Sequence, residues 1–325
     1  KSICEISMNA ATEEQFRKID IESLSETGDQ SFNLYVKSGE NDSFVKFAGT
    51  EPAHQEKVRK LLKAGELIED LYIDVLEQEE YFKQITGNLA SVACDDALAP
   101  HLRAEKIYSV SMAVMKEFFE NSSSRKILKS AGNIMGAMHT CLEVTNQGFS
   151  LLAKTMVKNY PAYLHSINVG LYCLSYADKM KMQKEETQIL AIGGLFHDLG
   201  LTAISDETLY KKGKLNMDEV QWMRSHTEEG SQIIKDLKLY NEEVVKMAAQ
   251  HHESFDGKGY PHALAEDKIS YFSRVCKVAD VYESLTSPVV YRRAMKPLDA
   301  LTVMTRDMKG VFDPKVLRNF ISLLT

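Results

Sequence analysis

The chain has 325 residues, a formal net charge of −7 at neutral pH, 44% hydrophobic residues and 26% charged residues. This composition predicts a soluble globular protein, and the length favours two domains. The acidic balance argues against non-specific binding to nucleic acid or acidic membranes, and without an apolar run of about 18 residues we expect no membrane span.

The N-terminal residues and the cysteines predict a cytoplasmic protein. The opening stretch, KSICEISMNAATEEQ, lacks the charged-then-apolar pattern of a secretion signal. Five cysteines are scattered through the sequence without a C-x-x-C pair. This usage is typical of free thiols in a reducing compartment.

Residues 1–85 are predicted to form a small α/β domain. Two segments with period-2 apolar character, residues 31–39 and 42–49, predict a β-hairpin. A helix is predicted from Pro52 to Gly65, and residues 70–75 predict a further short strand. No residue spacing here indicates catalysis, so we expect a regulatory or partner-binding role for this domain.

The rest of the chain is predicted to be helical. Residues 86–150 carry apolar residues at spacings of three and four and are interpreted as a helical connector. Residues 151–325 continue as helix after helix, and six of the nine histidines fall between His165 and His262. The predicted fold class is therefore α+β overall, with an all-α helical bundle at the C-terminal half.

Seven ionisable residues in this bundle stand in or beside apolar helices: His165, His197, Asp198, His226, His251, His252 and Asp280. Each alone is more often a hydrogen-bonded core residue or a helix cap than a ligand. Together they indicate a metal site, because burying the carboxylates of Asp198 and Asp280 without a cationic partner costs on the order of several kcal/mol. Imidazole nitrogen and carboxylate oxygen suit iron, manganese and zinc.

The number of these residues predicts two metal ions. Seven ligands are too many for one tetrahedral zinc, and they fit two ions about 3.5–4 Å apart. Adjacent helical residues point roughly 100° apart, so we expect His251 and His252 to face two different ions. The adjacent His197 and Asp198 offer the same geometry, and an aspartate with two oxygens can bridge two ions.

The region from about residue 150 to residue 325 resembles the HD-GYP family, a branch of the HD metal-dependent phosphohydrolases. The matching stretches include LHSINVG, LFHDLG, HHESFDGKGYP and RVCKVADVYESLTS, in family order and spacing. The resemblance implies a helical domain that hydrolyses cyclic di-GMP with two or three metal ions, most often iron and alternatively manganese. It also implies that the seven residues are the metal ligands, that Asp198 bridges the ions, and that Tyr260 lies near the site.

Three positions depart from the family pattern. The family commonly reads HDIGK, and Leu201 stands where its lysine is expected near the scissile phosphate. Val289 stands at the first arginine of TSxRPYR, whereas Arg292 keeps the second. Pro161 occupies the position of the glutamate that three-metal members carry, which favours a two-metal site. Since one lost donor to the transition state costs about 10²–10³ in rate, we expect weakened or altered activity.

The residues can be given roles in phosphodiester hydrolysis. Asp198 and His197 are expected to be catalytic through the metal ions, which would lower the pKa of a water molecule. Arg292 is the candidate for gripping a phosphate. Lys258 and Tyr260 are further candidates for substrate contact, although a solvated surface role for Lys258 and structural support of the loop by Tyr260 are equally open.

Two alternatives to a phosphodiesterase of cyclic di-GMP or a related nucleotide stay open. The first is an inactive cyclic dinucleotide receptor or protein-interaction module, which keeps the metal site and contacts a protein partner through the Gly-Tyr-Pro loop or the N-terminal domain. The second is a redox enzyme of the broader HD fold, and the close match to the hydrolytic branch argues against it. Neither nucleic acid nor a membrane is an expected partner.

Overall fold

The computed structural model describes residues 15–19, 24, 30–38, 43–64, 70–120, 127–144, 152–153, 156, 161–288 and 292–324. The chain divides into two compact units, with the division between Leu89 and Ala90. The separate helical connector at residues 86–150 stays a prediction.

The N-terminal unit is built on a four-stranded antiparallel sheet in the order β1-β4-β2-β3. Its strands are β1 (Phe16–Ile19), β2 (Leu34–Lys37), β3 (Phe44–Ala48) and β4 (Leu71–Asp74). The predicted hairpin is the β2–β3 pair, and the short strand predicted at residues 70–75 is β4. Strand β1 was not predicted, because its apolar content is low and its partner β4 lies more than 50 residues further along the chain.

Two helices belong to the same unit, α1 (Pro52–Ala64) and α2 (Gln78–Gly87). The buried rings of Phe32 and Tyr81 meet edge to face with centroids 5.2 Å apart, so α2 shares a core with the chain that enters β2. The short helix α3 (Leu89–Ala93) crosses the division between the units.

The C-terminal unit is helical, as the sequence predicts. Its helices are α4 (Pro100–Glu120), α5 (Ala131–Glu143), α6 (Ala162–Lys179), α7 (Lys184–Phe196), α8 (Asp206–Leu209), α9 (Met217–Arg224), α10 (His226–Leu237), α11 (Glu242–Gln250), α12 (Tyr271–Thr286), α13 (Pro297–Arg306) and α14 (Pro314–Leu324). Among the described helices, none combines the length and the apolar character that crossing a lipid bilayer requires.

Helix α6 is the central element of this unit, since it is buried from Leu164 to Ala177. It packs against α7 at Gly170, where a Cβ would lie 3.2 Å from the backbone nitrogen of Leu195. On its other sides it contacts α4, α12 and α14. The core therefore fixes the start of α6, the end of α7 and the middle of α12 relative to one another.

Candidate metal centre

Asp198 lies at the centre of the candidate site, directly after the end of α7. His197 and Asp198 follow the last residue of this apolar helix, and both are buried. The 3-10 turn Leu199–Ala203 continues the chain, and a Cβ at Gly200 would lie 1.8 Å from the carbonyl oxygen of His226. The glycine therefore permits the close contact that brings the start of α10 to Asp198.

A first group of ligand atoms faces the Oδ1 atom of Asp198. The Nε2 atoms of His226 and His251 each lie 3.4 Å from this oxygen and 3.2 Å from each other. His252 completes the group, in which one ligand atom from each of the four residues lies within 4.8 Å of the others. An imidazole set with one carboxylate is a common ligand set for iron, manganese or zinc.

The structure corrects the expectation that His251 and His252 face two different ions. Both belong to the first group, and their ring centroids lie 4.1 Å apart. The expectation assumed that the helix continues through both residues. Helix α11 ends at Gln250, and His252 already lies in the turn beyond it, so the adjacent rings can approach the same point.

A second group consists of His165 in the first turn of α6, His197 after α7, and Asp280 in α12. The Nε2 atom of His165 lies 3.2 Å from Oδ1 of Asp280 and 3.2 Å from Nε2 of His197. The Oδ2 atom of Asp198 lies 3.4 Å from Nε2 of His197 and 3.7 Å from Nε2 of His165. The two oxygens of Asp198 thus face the two groups, one oxygen each.

The hydrogen bonds of three rings show which nitrogen is available to a cation. The Nδ1 atoms of His197, His226 and His251 lie 2.8, 2.7 and 2.9 Å from backbone carbonyl oxygens. A carbonyl oxygen only accepts, so each Nδ1 carries a proton and each Nε2 offers its lone pair. The Nε2 atoms of His165 and His197 lie 3.2 Å apart, as do those of His226 and His251. At this distance the two lone pairs of each pair repel unless a proton or a cation lies between them. This donor set fits divalent metal ions.

Burial and the carboxylate of Asp198 move the ring pKa values in opposite directions. Burial lowers the pKa of His251 to about 4 and lowers the pKa of His252 well below its ordinary value, so both rings are neutral at pH 7. Burial also opposes the charged form of His197, but Asp198 outweighs it and raises the pKa of His197 to about 9. A metal ion would displace that proton, since metal binding releases protons from its ligands.

The predicted substrate-side residue Tyr260 lies against the first group. Its ring stacks on His252 with centroids 4.7 Å apart, and the guanidinium carbon of Arg224 lies 4.8 Å from the centroid of the Tyr260 ring. A cation over an aromatic face is attracted by the ring quadrupole. The Tyr260 ring therefore contacts both a candidate ligand, His252, and an arginine at the end of α9.

The two predicted basic residues are engaged elsewhere. The side chain of Lys258 is 83% exposed and pairs with Asp256 at 3.1 Å. Arg292 donates hydrogen bonds to the carbonyl oxygens of Ser284 and Leu285 in the last turns of α12. Its guanidinium thus satisfies helix-end carbonyl groups in this structure.

Of the departures from the family pattern, Leu201 borders a cavity of about 600 Å³. Its walls include the aromatic ring of Tyr163 and the charged side chains of Lys116 and Glu120. Position 201 therefore has open space beside it. Val289 lies outside the described residues.

Two buried glutamates of the site were missed in the sequence. The carboxylate of Glu283 contacts Nδ1 of His165, and Glu283 shares a helix face with Asp280 three residues earlier, a signal that identifies it in retrospect. Glu253 accepts hydrogen bonds from backbone N–H groups of the Tyr260 loop, among them that of His262. Its partners are backbone atoms, so no residue pattern indicates its role.

Residues 140–316 match the family model described as HD domain. "Cyclic di-GMP phosphodiesterase PA4108" of Pseudomonas aeruginosa is 33% identical over 159 residues, which are 49% of this chain and 38% of that protein. "3′3′-cGAMP-specific phosphodiesterase 3" of Vibrio cholerae is 32% identical over 166 residues, which are 49% of this chain and 35% of that protein. The chain thus matches little more than a third of the length of these curated relatives.

A solved structure shares the fold over most of the chain. Bd1817, a HDG"Y"P protein from Bdellovibrio bacteriovorus, aligns with a TM-score of 0.66 and 20% identity, covering 95% of this chain and 99% of that one. The segment that matches the HD domain model is more than half of the sequence and contains all seven converging side chains. The chain therefore belongs to the HD domain family.

Proposed function

We propose that the chain is a metal-dependent phosphodiesterase of the HD-GYP type that acts on cyclic di-GMP or a related cyclic dinucleotide. The observation that carries the proposal is the convergence of two groups of buried ligand atoms on the two oxygens of Asp198. The names of the relatives, phosphodiesterases of cyclic di-GMP and of 3′3′-cGAMP, support the substrate class.

Seven side chains would hold two divalent ions, iron or alternatively manganese. His165, His197 and Asp280 would hold one ion, and His226, His251 and His252 the other, with Asp198 shared between them. When bound, two such ions supply positive charge at a phosphate and acidify a water molecule. The protein contributes the fixed tautomers described above, which keep the Nε2 lone pairs directed at the ion positions.

Three features would serve the substrate. Tyr260 covers His252, and Arg224, held over the Tyr260 ring, is a further candidate for contacting a phosphate because Lys258 and Arg292 are engaged elsewhere. The cavity beside Leu201 has an aromatic wall that suits stacking on a purine base. We therefore expect the nucleotide to lie between the Tyr260 loop and this cavity.

A nucleotide receptor without turnover is the second candidate function. Leu201 supplies no positive charge beside the site, and the Arg292 guanidinium is bonded to helix carbonyl groups. Missing one well-placed donor costs about 10²–10³ in rate. A receptor of this kind would keep its metal ligands and bind the nucleotide without hydrolysing it.

Metal analysis and a hydrolysis assay test the proposal. We expect about two metal ions per purified chain, as in two-metal phosphodiester-cleaving sites, and slow conversion of cyclic di-GMP or 3′3′-cGAMP to linear products. His251→Ala should lower both the metal content and the rate. His101→Ala, which removes an exposed histidine of α4, is the matched control and should change neither.

Two outcomes would contradict parts of this proposal. One ion or none per chain, with His251→Ala indistinguishable from the unmodified chain, removes the basis of the metal site. Tight nucleotide binding without hydrolysis, with iron, manganese or zinc bound, would favour the nucleotide receptor over the phosphodiesterase.

A further inference from the structure

A buried hydrogen-bonded chain leads away from the metal site through Glu283. This residue lies one turn after Asp280 on α12 and is 2% exposed. Its Oε2 atom lies 2.5 Å from Nδ1 of His165. His165 therefore differs from the three histidines whose Nδ1 faces a backbone carbonyl, because its orientation depends on a side chain.

The second oxygen of Glu283 continues the chain to another helix. It accepts hydrogen bonds from Nδ2 of Asn168 at 2.9 Å and from the hydroxyl of Ser287 at 2.6 Å. The Oδ1 atom of Asn168 in turn accepts a hydrogen bond from the hydroxyl of Tyr108 at 2.7 Å. All four residues are buried, so the contacts are shielded from competing water.

The direction of each hydrogen bond is determined by chemistry. A carboxylate only accepts, so the amide group of Asn168 must face Glu283 and its carbonyl oxygen must face Tyr108. For the same reason Nδ1 of His165 must donate its proton to Glu283. The Nε2 atom of His165 is then left with a lone pair toward His197 and Asp280, which is the form that binds a metal ion.

We propose that Tyr108, Asn168 and Glu283 are positioning residues that hold the His165 ring in its metal-binding orientation and tautomer. Tyr108 belongs to α4, which precedes the segment matched by the HD domain model at residues 140–316. Helix α4 is thus part of the metal site of this chain. The inference rests on the metal-binding part of the proposed function and not on turnover.

Cobalt titration of the metal-free 325-residue chain, followed by visible absorption, tests the proposal. Glu283→Gln should weaken one of the two binding steps by about 10- to 100-fold, the usual effect of losing a carboxylate that supports a ligating histidine. Tyr108→Phe should weaken the same step by about 3-fold, since it removes one hydrogen bond two contacts away from the ring. The other step should change less in both variants.

Tyr176→Phe is the matched control. Tyr176 is a buried tyrosine of α6 whose hydroxyl is hydrogen-bonded to Tyr271 and Asn319, away from His165. Its replacement by phenylalanine also removes one buried hydroxyl, and it should leave both binding steps unchanged.

The possible outcomes separate this inference from the proposed function. If the unmodified chain takes up no cobalt, the proposed function fails. If it takes up two ions and both Glu283→Gln and Tyr108→Phe titrate like Tyr176→Phe, the hydrogen-bonded chain is only structural and the inference is overturned. Should Glu283→Gln fail to fold, the conservative Tyr108→Phe variant decides alone.

Discussion

Leu201 occupies the position where the HD-GYP family carries a lysine, and the structure gives it open space. It borders the cavity of about 600 Å³, which is also lined by Glu120. A lysine there could extend without displacing the core and would bring a positive charge three residues after Asp198. Under the proposed function, the missing charge at this single position would slow hydrolysis without any change to the candidate ligands.

We expect Leu201→Lys to raise kcat for cyclic di-GMP by about 10-fold or more, since a restored donor to the transition state is worth up to about 10²–10³. Leu201→Met keeps a long apolar side chain without the charge and should give no such gain. Steady-state hydrolysis at matched metal content is the measurement. Equal rates for the lysine and methionine variants would show that the charge at position 201 does not limit hydrolysis by this chain.

At the residue scale the sequence predicts which side chains converge better than it predicts how they group. The buried carboxylates of Asp198 and Asp280 need a cationic partner, and the histidines in the neighbouring apolar helices supply further donor atoms for one. The grouping of His251 with His252 depends on the residue at which α11 ends, and helix ends are set by tertiary contacts. The chain from Tyr108 to His165 also escapes prediction, because Tyr108, Asn168 and Glu283 lie on three different helices and form no pattern until the helices pack.

At the scale of elements, the contact between the 3-10 turn after α7 and the start of α10 holds the site together. Gly200 allows the two backbones to touch, and His226 and Asp198 belong to the segments that meet there. The spacing of these candidate ligands therefore depends on the turn.

Gly200→Ala should destabilise the C-terminal unit by about 3 kcal/mol, because the added Cβ would lie 1.8 Å from the His226 carbonyl oxygen and would force backbone apart. Gly132→Ala is the control: a Cβ at this position of α5 meets nothing within 4 Å, so it should be neutral or stabilise by up to about 1 kcal/mol. Urea denaturation followed by circular dichroism measures both. Similar stabilities of the two variants would mean that the turn can shift without cost.

In the sheet of the N-terminal unit, the hairpin of β2 and β3 can be predicted from the sequence, but the order of the strands cannot. Alternation of apolar residues identifies β2 and β3 because they pair across a short turn. Strand β4 bonds both β1 and β2, and this central position cannot be deduced from four residues of sequence. Pairing between distant strands is decided by the packing of the whole unit, including the helices that cover it.

At the scale of the whole molecule, we expect metal ions to change the thermal stability of one compact unit and not of the other. The candidate ligands all lie in the unit that begins at Ala90. An ion that binds only the folded state stabilises it by about 2.7 kcal/mol when present at 100 times its dissociation constant. A regulatory role for the N-terminal unit stays a prediction. A heating experiment also shows whether this unit unfolds in a separate transition.

Stripping the chain with a chelator should lower the unfolding temperature of the C-terminal unit by several degrees, given about 2–4 °C for each kcal/mol in a unit of this size. Adding back manganese should restore it, and the N-terminal unit should not respond. Differential scanning calorimetry of the intact chain measures this effect. Identical traces with and without chelator, for protein shown to contain metal, would contradict the assignment of the ligands to a folded site.

The distribution of the seven side chains from His165 to Asp280 has a consequence for biosynthesis. The first of these histidines leaves the ribosome more than a hundred residues before Asp280, so a complete set of donors exists only after Asp280 has been synthesised. Under the proposed function, the cation would then be captured from the free pool that the cell maintains at that moment. Growth medium and timing of expression would consequently decide which transition element accompanies the purified protein.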